Sequence, residues 1–477
     1  MERKGFKSNF GFLMAAVGSA VGLGNIWGFP NKMGANGGFT FLLIYLLLAV
    51  FCGFIIMVGE LAIGRKTGQG AVGAYKVISK KFSWMGWMGI ASAFFILFFY
   101  CALGGYCIKY AVLNVGDLFN AGFGSAGMTG GEVFGAFMAS PWEAIIYGVI
   151  FVVLTMLIVM GGVAGGIEKV CSVGMPCLFV ALLICIIRAC TLPGAVDGLK
   201  YMFVPGWAVA NGVIAEAPNF FTVLSTAGGQ MFFSLSLGMG AMITYGSYLD
   251  KKQNLEKNAI MIVVLDTLVA LMAGLCVIPA RFALDPEGAL GGPSLLFVTM
   301  QNVFQAMGGI GPVFGILFYV LVVFAAISSS ISLLEVIVAH FVDKAAEKGK
   351  GDKRKKYTLV AACCVAVGCI LVCADRLGGA GIHPAALLGL DGYTAAWAAD
   401  WLDFFDMLAE GIMMPLGALL MSLMLGWEIG PDLVKEECEL EGNKIKSWGF
   451  FKICVKVITP LCMLFILYGQ IMSFFAT

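Results

Sequence analysis

The sequence predicts an all-α polytopic membrane protein with eleven spanning helices, built as two inverted five-helix repeats whose first helices, spans one and six, are broken. Three observations point there. About 60% of the 477 residues are hydrophobic and 12% charged, with a mean hydropathy of +0.93, more apolar surface than a soluble core needs. Apolar stretches of about 17–25 residues, long enough to cross a bilayer, recur along the whole chain. Two of them are interrupted by glycines, in Ser19-Ala-Val-Gly-Leu-Gly-Asn-Ile-Trp-Gly-Phe-Pro30 and Gly229-Gln-Met-Phe-Phe-Ser-Leu-Ser-Leu-Gly-Met-Gly240. Backbone that leaves the helix at mid-membrane depth must find partners for its N–H and C=O groups in protein, water or a ligand. Broken spans therefore suggest a solute or ion site.

The spans are expected at 8–31, 39–63, 84–118, 143–161, 166–190, 219–249, 256–282, 311–343, 357–374, 397–427 and 450–474. The first follows the short basic stretch Met1–Ser8 without a small-residue cleavage site, so no signal peptide is expected. With the amino terminus inside, about 24 of the 30 Lys and Arg residues face the cytoplasm and about six lie elsewhere. Arg65, Lys66, Lys80, Lys81 and the Lys344–Lys356 cluster carry most of that bias. An odd number of spans then puts the carboxyl terminus outside. Span five places nine residues between Gly166 and Pro176, a pairing that reads equally as a static kink or as a helix whose cytoplasmic part unwinds. Gly291–Gly308 is apolar but short and bracketed by Pro and Gly, which fits a re-entrant or surface helical hairpin better than a span. Because the breaks lie five helices apart, the second unit must insert upside down. Residues 8–190 form one repeat and 219–427 the other, 450–474 is the eleventh span, and a site is expected at the repeat interface near the midplane.

Several function classes drop out. The net charge is +1 and no basic run interleaves with aromatics, which speaks against a nucleic-acid partner. Most of the 15 cysteines sit in apolar runs with no CxxC pair and read as packing residues. His340 and His383 lack metal-ligand spacing and lie at a helix end and in an outer loop, so neither an enzyme nor a transition-metal site is expected. Asp266, in the middle of Met261-Ile-Val-Val-Leu-Asp-Thr-Leu-Val-Ala-Leu271, costs about 2.5–3.5 kcal/mol to insert and should face the bundle interior and a cation. Sodium, a hard cation, wants oxygen ligands, which freed carbonyls, hydroxyls, amides and carboxylates supply. Taken alone, Ser328–Ser330 read as helix packing through small residues before ion binding.

Gly18-Ser-Ala-Val-Gly-Leu-Gly-Asn25 with Phe29-Pro30, Gly59-Glu-Leu-Ala-Ile-Gly-Arg65, Gln230–Gly240, Tyr245-Gly-Ser-Tyr248 and Ala325-Ala-Ile-Ser-Ser-Ser330 occur in unbroken order between Arg3 and about Trp427. Together they resemble the neurotransmitter:sodium symporter family with its LeuT-like fold, and within it the bacterial branch of eleven-helix hydrophobic or aromatic amino-acid transporters. The resemblance implies two sodium sites. One uses the Ala20 carbonyl, Asn25, Ser234, Asp266 and the substrate carboxylate; the other uses the carbonyls of Gly18, Val21 and Ala325 with the hydroxyls of Ser328 and Ser329. Chloride-dependent relatives hold an anion with groups matched here by Tyr45, Gln230 and Ser234. A carboxylate fixed at that spot makes chloride unnecessary and unwelcome, so none is expected.

Gly22 stands where amine transporters of the family carry an aspartate, which implies an amino acid that brings its own carboxylate. That group would meet Tyr100 and the amides of Leu23 and Gly24, with the side chain among Ser19, Ile96, Phe233, Ser236, Met239, Ser329 and Leu333. This lining has no fixed charge and favours large neutral substrates. Met239 by itself reads equally as core. The inner gate implied is Arg3 with Asp343, flanked by Phe6, Ser247 and Tyr248. The outer one is Asp406, whose usual arginine partner is replaced by Gly28, leaving Lys32, or Tyr100 and Phe233 folding over the substrate, to serve. A bacterial inner-membrane, multi-pass location is expected, with membrane lipid around it and the oligomeric state open. The alternatives are a proton-coupled carrier of the same fold, which would want a cationic side chain in the middle of span five that this chain lacks, and a substrate-gated receptor or channel.

Overall fold

The computed structural model describes residues 5–289, 292–349, 353–389, 393 and 395–475, and among these no strand occurs. Among the described residues nine helices are long and apolar enough to cross a membrane, and one bent pair passes the same test jointly. The bent pair comes first: α1 (Asn9–Ala20) and α2 (Gly24–Ala35) meet at 47°. Ser8 caps α1 through its Oγ, which accepts from the Gly11 N–H at 2.9 Å. Then follow α3 (Phe39–Thr67), α4 (Met85–Leu118), α5 (Pro141–Met160) and α6 (Val163–Cys190).

The expected span at 219–249 is two pieces, α7 (Phe220–Ser234) and α8 (Ala241–Gly246). Between them the chain takes positive φ at Ser236, Gly238 and Gly240, which a helix cannot accommodate. The remaining long helices are α9 (Leu255–Leu284), α10 (Gly308–Glu347), α11 (Arg354–Asp375), α12 (Trp401–Glu428) and α13 (Trp448–Ser473). The segment before α10 is a short helical stretch, Leu295–Thr299 continuing into Met300–Ala306, which turns at Gly308 (φ 68°) into α10. Tyr319 on α10 ties the two arms by donating to the Leu296 carbonyl at 2.8 Å. This short arm is helical but does not cross.

Two packed groups surround the breaks. The long α4 and α10 form the most extensive helix pair, and α5 and α11 pack on them. Where α5 meets α4 and α11 there is no room for side chains: a Cβ on Gly105 would lie 2.6 Å from the Gly148 Cα, and one on Gly148 would lie 2.9 Å from the Cys369 Sγ of α11. Such small-residue seams let helices approach closely where lipid offers no hydrophobic drive to associate. In the second group, α9 packs on α2, α3 and α6, while α7 and α8 lean on α3. Exposed apolar side chains such as Leu157, Val180, Ile187, Leu464 and Phe465 cover the outside of α5, α6 and α13, as a lipid-facing belt requires. All 15 cysteines are free thiols.

Gly105→Val should wedge α4 from α5 and cost about 1–3 kcal/mol as overpacking, seen as a lower thermal midpoint of the purified protein. Gly135→Ala, inside a helix and with the added Cβ meeting nothing within 4 Å, should leave the midpoint level or raise it slightly.

Candidate functional site

Helix α1 ends because Val21 adopts an extended conformation (φ −75°, ψ 106°). The opposing break in α7–α8 is held from outside by Glu60 on α3, whose Oε1 accepts from the Gly238 N–H at 2.7 Å. A fully buried carboxylate thus satisfies backbone freed by the unwinding, as a broken helix at this depth demands.

The two breaks face a small, nearly closed cavity of about 10 Å³, lined by Ser19, Ala20, Gly22, Gly24, Ile96, Tyr100, Phe233, Ser236, Met239, Ser329 and Leu333. Ten of the twelve residues expected around a substrate are on this wall. Leu23 and Ser234 are not. The Leu23 N–H donates to the Tyr100 hydroxyl at 2.8 Å, and Ser234 turns toward Asp266. Tyr100 and Phe233 meet with ring centroids 6.2 Å apart. Serines stitch the wall together: Ser236 Oγ donates to the Ser19 carbonyl at 2.9 Å, and Ser19 Oγ donates to Ser332 Oγ at 2.7 Å. No charged side chain lines the cavity.

Asp266, fully buried on α9, gathers donors from three other helices. Asn25 Nδ2 donates to its Oδ1 at 2.7 Å and to its backbone carbonyl at 3.1 Å. Ser234 Oγ lies 2.9 Å from Oδ2 and 3.1 Å from Oδ1, and the Tyr45 hydroxyl lies 3.4 Å from Oδ2. Asn25 Oδ1 accepts from the Gly22 N–H at 3.0 Å, so one amide joins the break to the carboxylate. Gln230 turns elsewhere, donating from Nε2 to the Gly24 carbonyl at 2.6 Å. The arrangement gives a fully buried carboxyl group hydrogen-bond partners that it would otherwise lack.

Gly18, Val21, Ala325, Ser328 and Ser329 form a second oxygen cluster across α1 and α10. Ser328 Oγ donates to the Ala325 carbonyl at 2.8 Å and lies 3.2 Å from the Val21 carbonyl; Ser329 Oγ lies 3.2 and 3.3 Å from the carbonyls of Val21 and Gly18. Two hydroxyls and three carbonyls are thus linked by hydrogen-bond distances in a buried place, an oxygen set suited to a dehydrated hard cation.

At the inner end Arg3 lies outside the described residues. Asp343 Oδ2 accepts from the Gly70 N–H at 3.0 Å. Phe6 packs edge-on against Tyr245 and Tyr248 at 5.8 and 6.2 Å. The Tyr248 hydroxyl donates to Glu335 at 2.7 Å, and Arg354 grips the same carboxylate in bidentate fashion at 2.6 and 2.9 Å. At the outer end Lys32 pairs with Glu410 rather than with Asp406, one helical turn before it. The Gly166–Pro176 helix is wound in this conformation: a π-turn over Val163–Ile167 runs into Glu168–Cys190. Glu168 holds the start of α1, accepting from the Lys7 N–H at 2.9 Å and from Ser8 Oγ at 3.3 Å.

Glu60, Glu168, Glu335, Arg354 and Glu410 escaped the sequence reading. Glu60 had a usable signal, a carboxylate inside an apolar run like that of Asp266. Glu168 and Arg354 stand near helix starts, where charge ordinarily means solvation, whereas Glu335 and Glu410 lie well inside α10 and α12.

The fold and this pair of breaks define a secondary transporter rather than an enzyme. A family model described as the sodium:neurotransmitter symporter family matches residues 3–118 and 136–477, and the chain belongs to that family. It is 34% identical over 469 residues to the uncharacterized sodium-dependent transporter YhdH of Bacillus subtilis, covering 97% of both chains. The crystal structure of MhsT in complex with L-phenylalanine superposes with a TM-score of 0.84 at 34% identity, covering 98% of this chain and 100% of that one. Over 301 residues it is 29% identical to the sodium-dependent neutral amino acid transporter B(0)AT3 of Mus musculus, covering 58% of this chain and 47% of that protein. The protein is therefore a sodium-dependent symporter.

Tyr100→Phe should strand the buried Leu23 N–H and cost about 1–3 kcal/mol, lowering the thermal midpoint. Tyr110→Phe, which removes a buried hydroxyl without a hydrogen-bond partner, should leave the midpoint level or raise it.

Proposed function

We propose that the protein imports neutral hydrophobic or aromatic L-amino acids by alternating access, coupled to sodium and independent of chloride. The observation that carries this reading is the Asp266 carboxylate, held by Asn25, Ser234 and Tyr45 beside the junction of both broken helices. In this reading the first sodium takes the Ala20 carbonyl, Asn25, Ser234, Asp266 and the substrate carboxylate. The second takes the carbonyls of Gly18, Val21 and Ala325 with Ser328 and Ser329, whose hydroxyls turn their lone pairs to the ion in place of donating to carbonyls. Asp266 supplies the negative charge that a bound anion would otherwise provide, and a second negative charge beside it would be repelled.

The uncharged cavity favours neutral side chains. The phenylalanine held by MhsT and the neutral amino acid activity named for B(0)AT3 support the same class. The architecture behind this reading is eleven spans, α1–α2 and α7–α8 each counted as one, with repeats at 8–190 and 219–427 and a last span at 450–474. The chain would sit in a bacterial cytoplasmic membrane, amino terminus inside and carboxyl terminus outside, following the Lys and Arg bias.

Uptake of radiolabelled L-phenylalanine, L-leucine and L-tryptophan into proteoliposomes tests the reading. Uptake should collapse when potassium replaces sodium and persist when gluconate replaces chloride; uptake indifferent to sodium, or lost in gluconate, would contradict it. Asp266→Ser should make transport depend on chloride, because it leaves the Asn25, Tyr45 and Ser234 donors around an uncompensated cation. Equal rates for that variant in chloride and gluconate would remove Asp266 from the coupling.

A further inference from the structure

A second cavity, of about 510 Å³, opens at the end of the bundle that the Lys and Arg bias places outside. Its size is that of pockets that hold small organic molecules. The end of α4, the chain that follows it, the short arm before α10 and the start of α10 enclose it, and it shares no residue with the cavity at the breaks. Asn114 on its wall stands well beyond Tyr100 on the same helix, roughly 21 Å further along the axis.

The enclosing segments are tied to one another. The chain after α4 folds back on the helix end, where the Ala121 N–H donates to the Gly116 carbonyl at 2.8 Å. A Cβ on Gly116 would lie 2.5 Å from the Gly124 nitrogen, so a side chain has no room at this crossing. Gln305 Nε2 ties the arm to the same chain by donating to the Met128 carbonyl at 2.9 Å, and Asn302 Oδ1 accepts from the Gly130 N–H at 2.8 Å.

Two polar groups on the wall keep unused bonding capacity. Asp117 spends Oδ1 on Ser125, accepting from its N–H at 2.5 Å and from its Oγ at 2.8 Å. Among the described residues its Oδ2 has no donor and no Lys or Arg pairs with it. Gln301 is 1% exposed, yet its Nε2 has no hydrogen-bond partner. The direction of that amide is fixed by its neighbour. Asn114 Nδ2 donates to the Tyr110 carbonyl at 2.8 Å and, with its other hydrogen, to Gln301 Oε1 at 3.0 Å, which leaves Gln301 Nε2 turned away from Asn114. A donor buried without a partner is costly, and an acceptor brought into the cavity would relieve that cost.

We infer that this outer cavity binds a small organic ammonium compound that carries a carbonyl or hydroxyl acceptor and no carboxylate. Asp117 Oδ2 takes the ammonium, Gln301 Nε2 donates to the acceptor, and Phe304 and Pro312 cover an apolar remainder. A ligand carboxylate would face Asp117 with no Lys, Arg or His in the lining to offset it, so the ligand differs in kind from the amino acids of the transport reading. The site does not depend on that reading.

L-Leucinamide carries the required ammonium, carbonyl and apolar group, and calorimetry with the purified full chain tests the site. The parent should bind it saturably, and N-acetyl-L-leucinamide, which lacks the charge, should bind about tenfold more weakly or less. Asp117→Asn, whose side-chain oxygen still accepts from Ser125, and Gln301→Leu should each weaken leucinamide about tenfold. Gly122→Trp fills the cavity from a position where a Cβ meets nothing within 4 Å; it should abolish binding and keep the thermal midpoint of the parent. Absence of saturable leucinamide binding up to about 10 mM, equal affinity for the acetylated compound, or parental affinity in Asp117→Asn and Gly122→Trp would overturn the site. Uptake plays no part in these titrations, so a parent that takes up no amino acid under a sodium gradient would end the transport reading and leave this one to be decided by leucinamide.

Discussion

A carboxylate buried among four helices is the constraint on which the rest of the site depends. Asp266 has no surface in water, and burying it unpartnered would be prohibitive. Its donors come from α2, α3 and α7, so the charge can be kept only while those helices stay in register around α9. Asn25 spends its remaining oxygen on the Gly22 N–H, which transmits that register to the break itself. Glu60 does the same for the opposite break by accepting from Gly238. Two buried acids thus make two unwound segments tolerable at a depth where backbone polar groups have no water.

The division of packing follows from this. Helices α4, α5, α10 and α11 form a tight group with glycine seams, suited to staying rigid. The broken helices lean on it through small hydroxyls: Ser328 and Ser329 reach the carbonyls of Gly18 and Val21, and Ser19 reaches Ser332. Hydroxyl–carbonyl contacts are individually weak and are readily exchanged for cation contacts. Charged ties are placed further out, at Lys32–Glu410 on one side and Arg354–Glu335 with Tyr248 on the other. The cavity between them carries no charged side chain, so a neutral solute meets no unpaired charge there.

Much of this was legible in the chain because it is locally encoded. Glycines inside apolar runs announced both breaks, and a lone aspartate among aliphatics announced Asp266. The serine run on α10 announced an oxygen cluster but could not say whether it packs or binds. The charge ties were hidden for a geometric reason. Lys32 and Glu410 are 378 residues apart, and the π-turn at Met407–Met413 shifts the phase of α12, so helical spacing from Asp406 does not reveal which acid turns inward. Leu23 and Ser234 were expected on the cavity wall, yet the break turns the Leu23 amide to Tyr100 and the end of α7 turns Ser234 to Asp266.

Binding of radioactive sodium to the purified protein in chloride-free buffer, with and without L-phenylalanine, tests the Asp266 account most directly. The account predicts saturable binding by the parent that tightens with the amino acid, and loss of about one ion per chain in Asp266→Asn. Sodium binding by Asp266→Asn equal to that of the parent, in both stoichiometry and affinity, would contradict it.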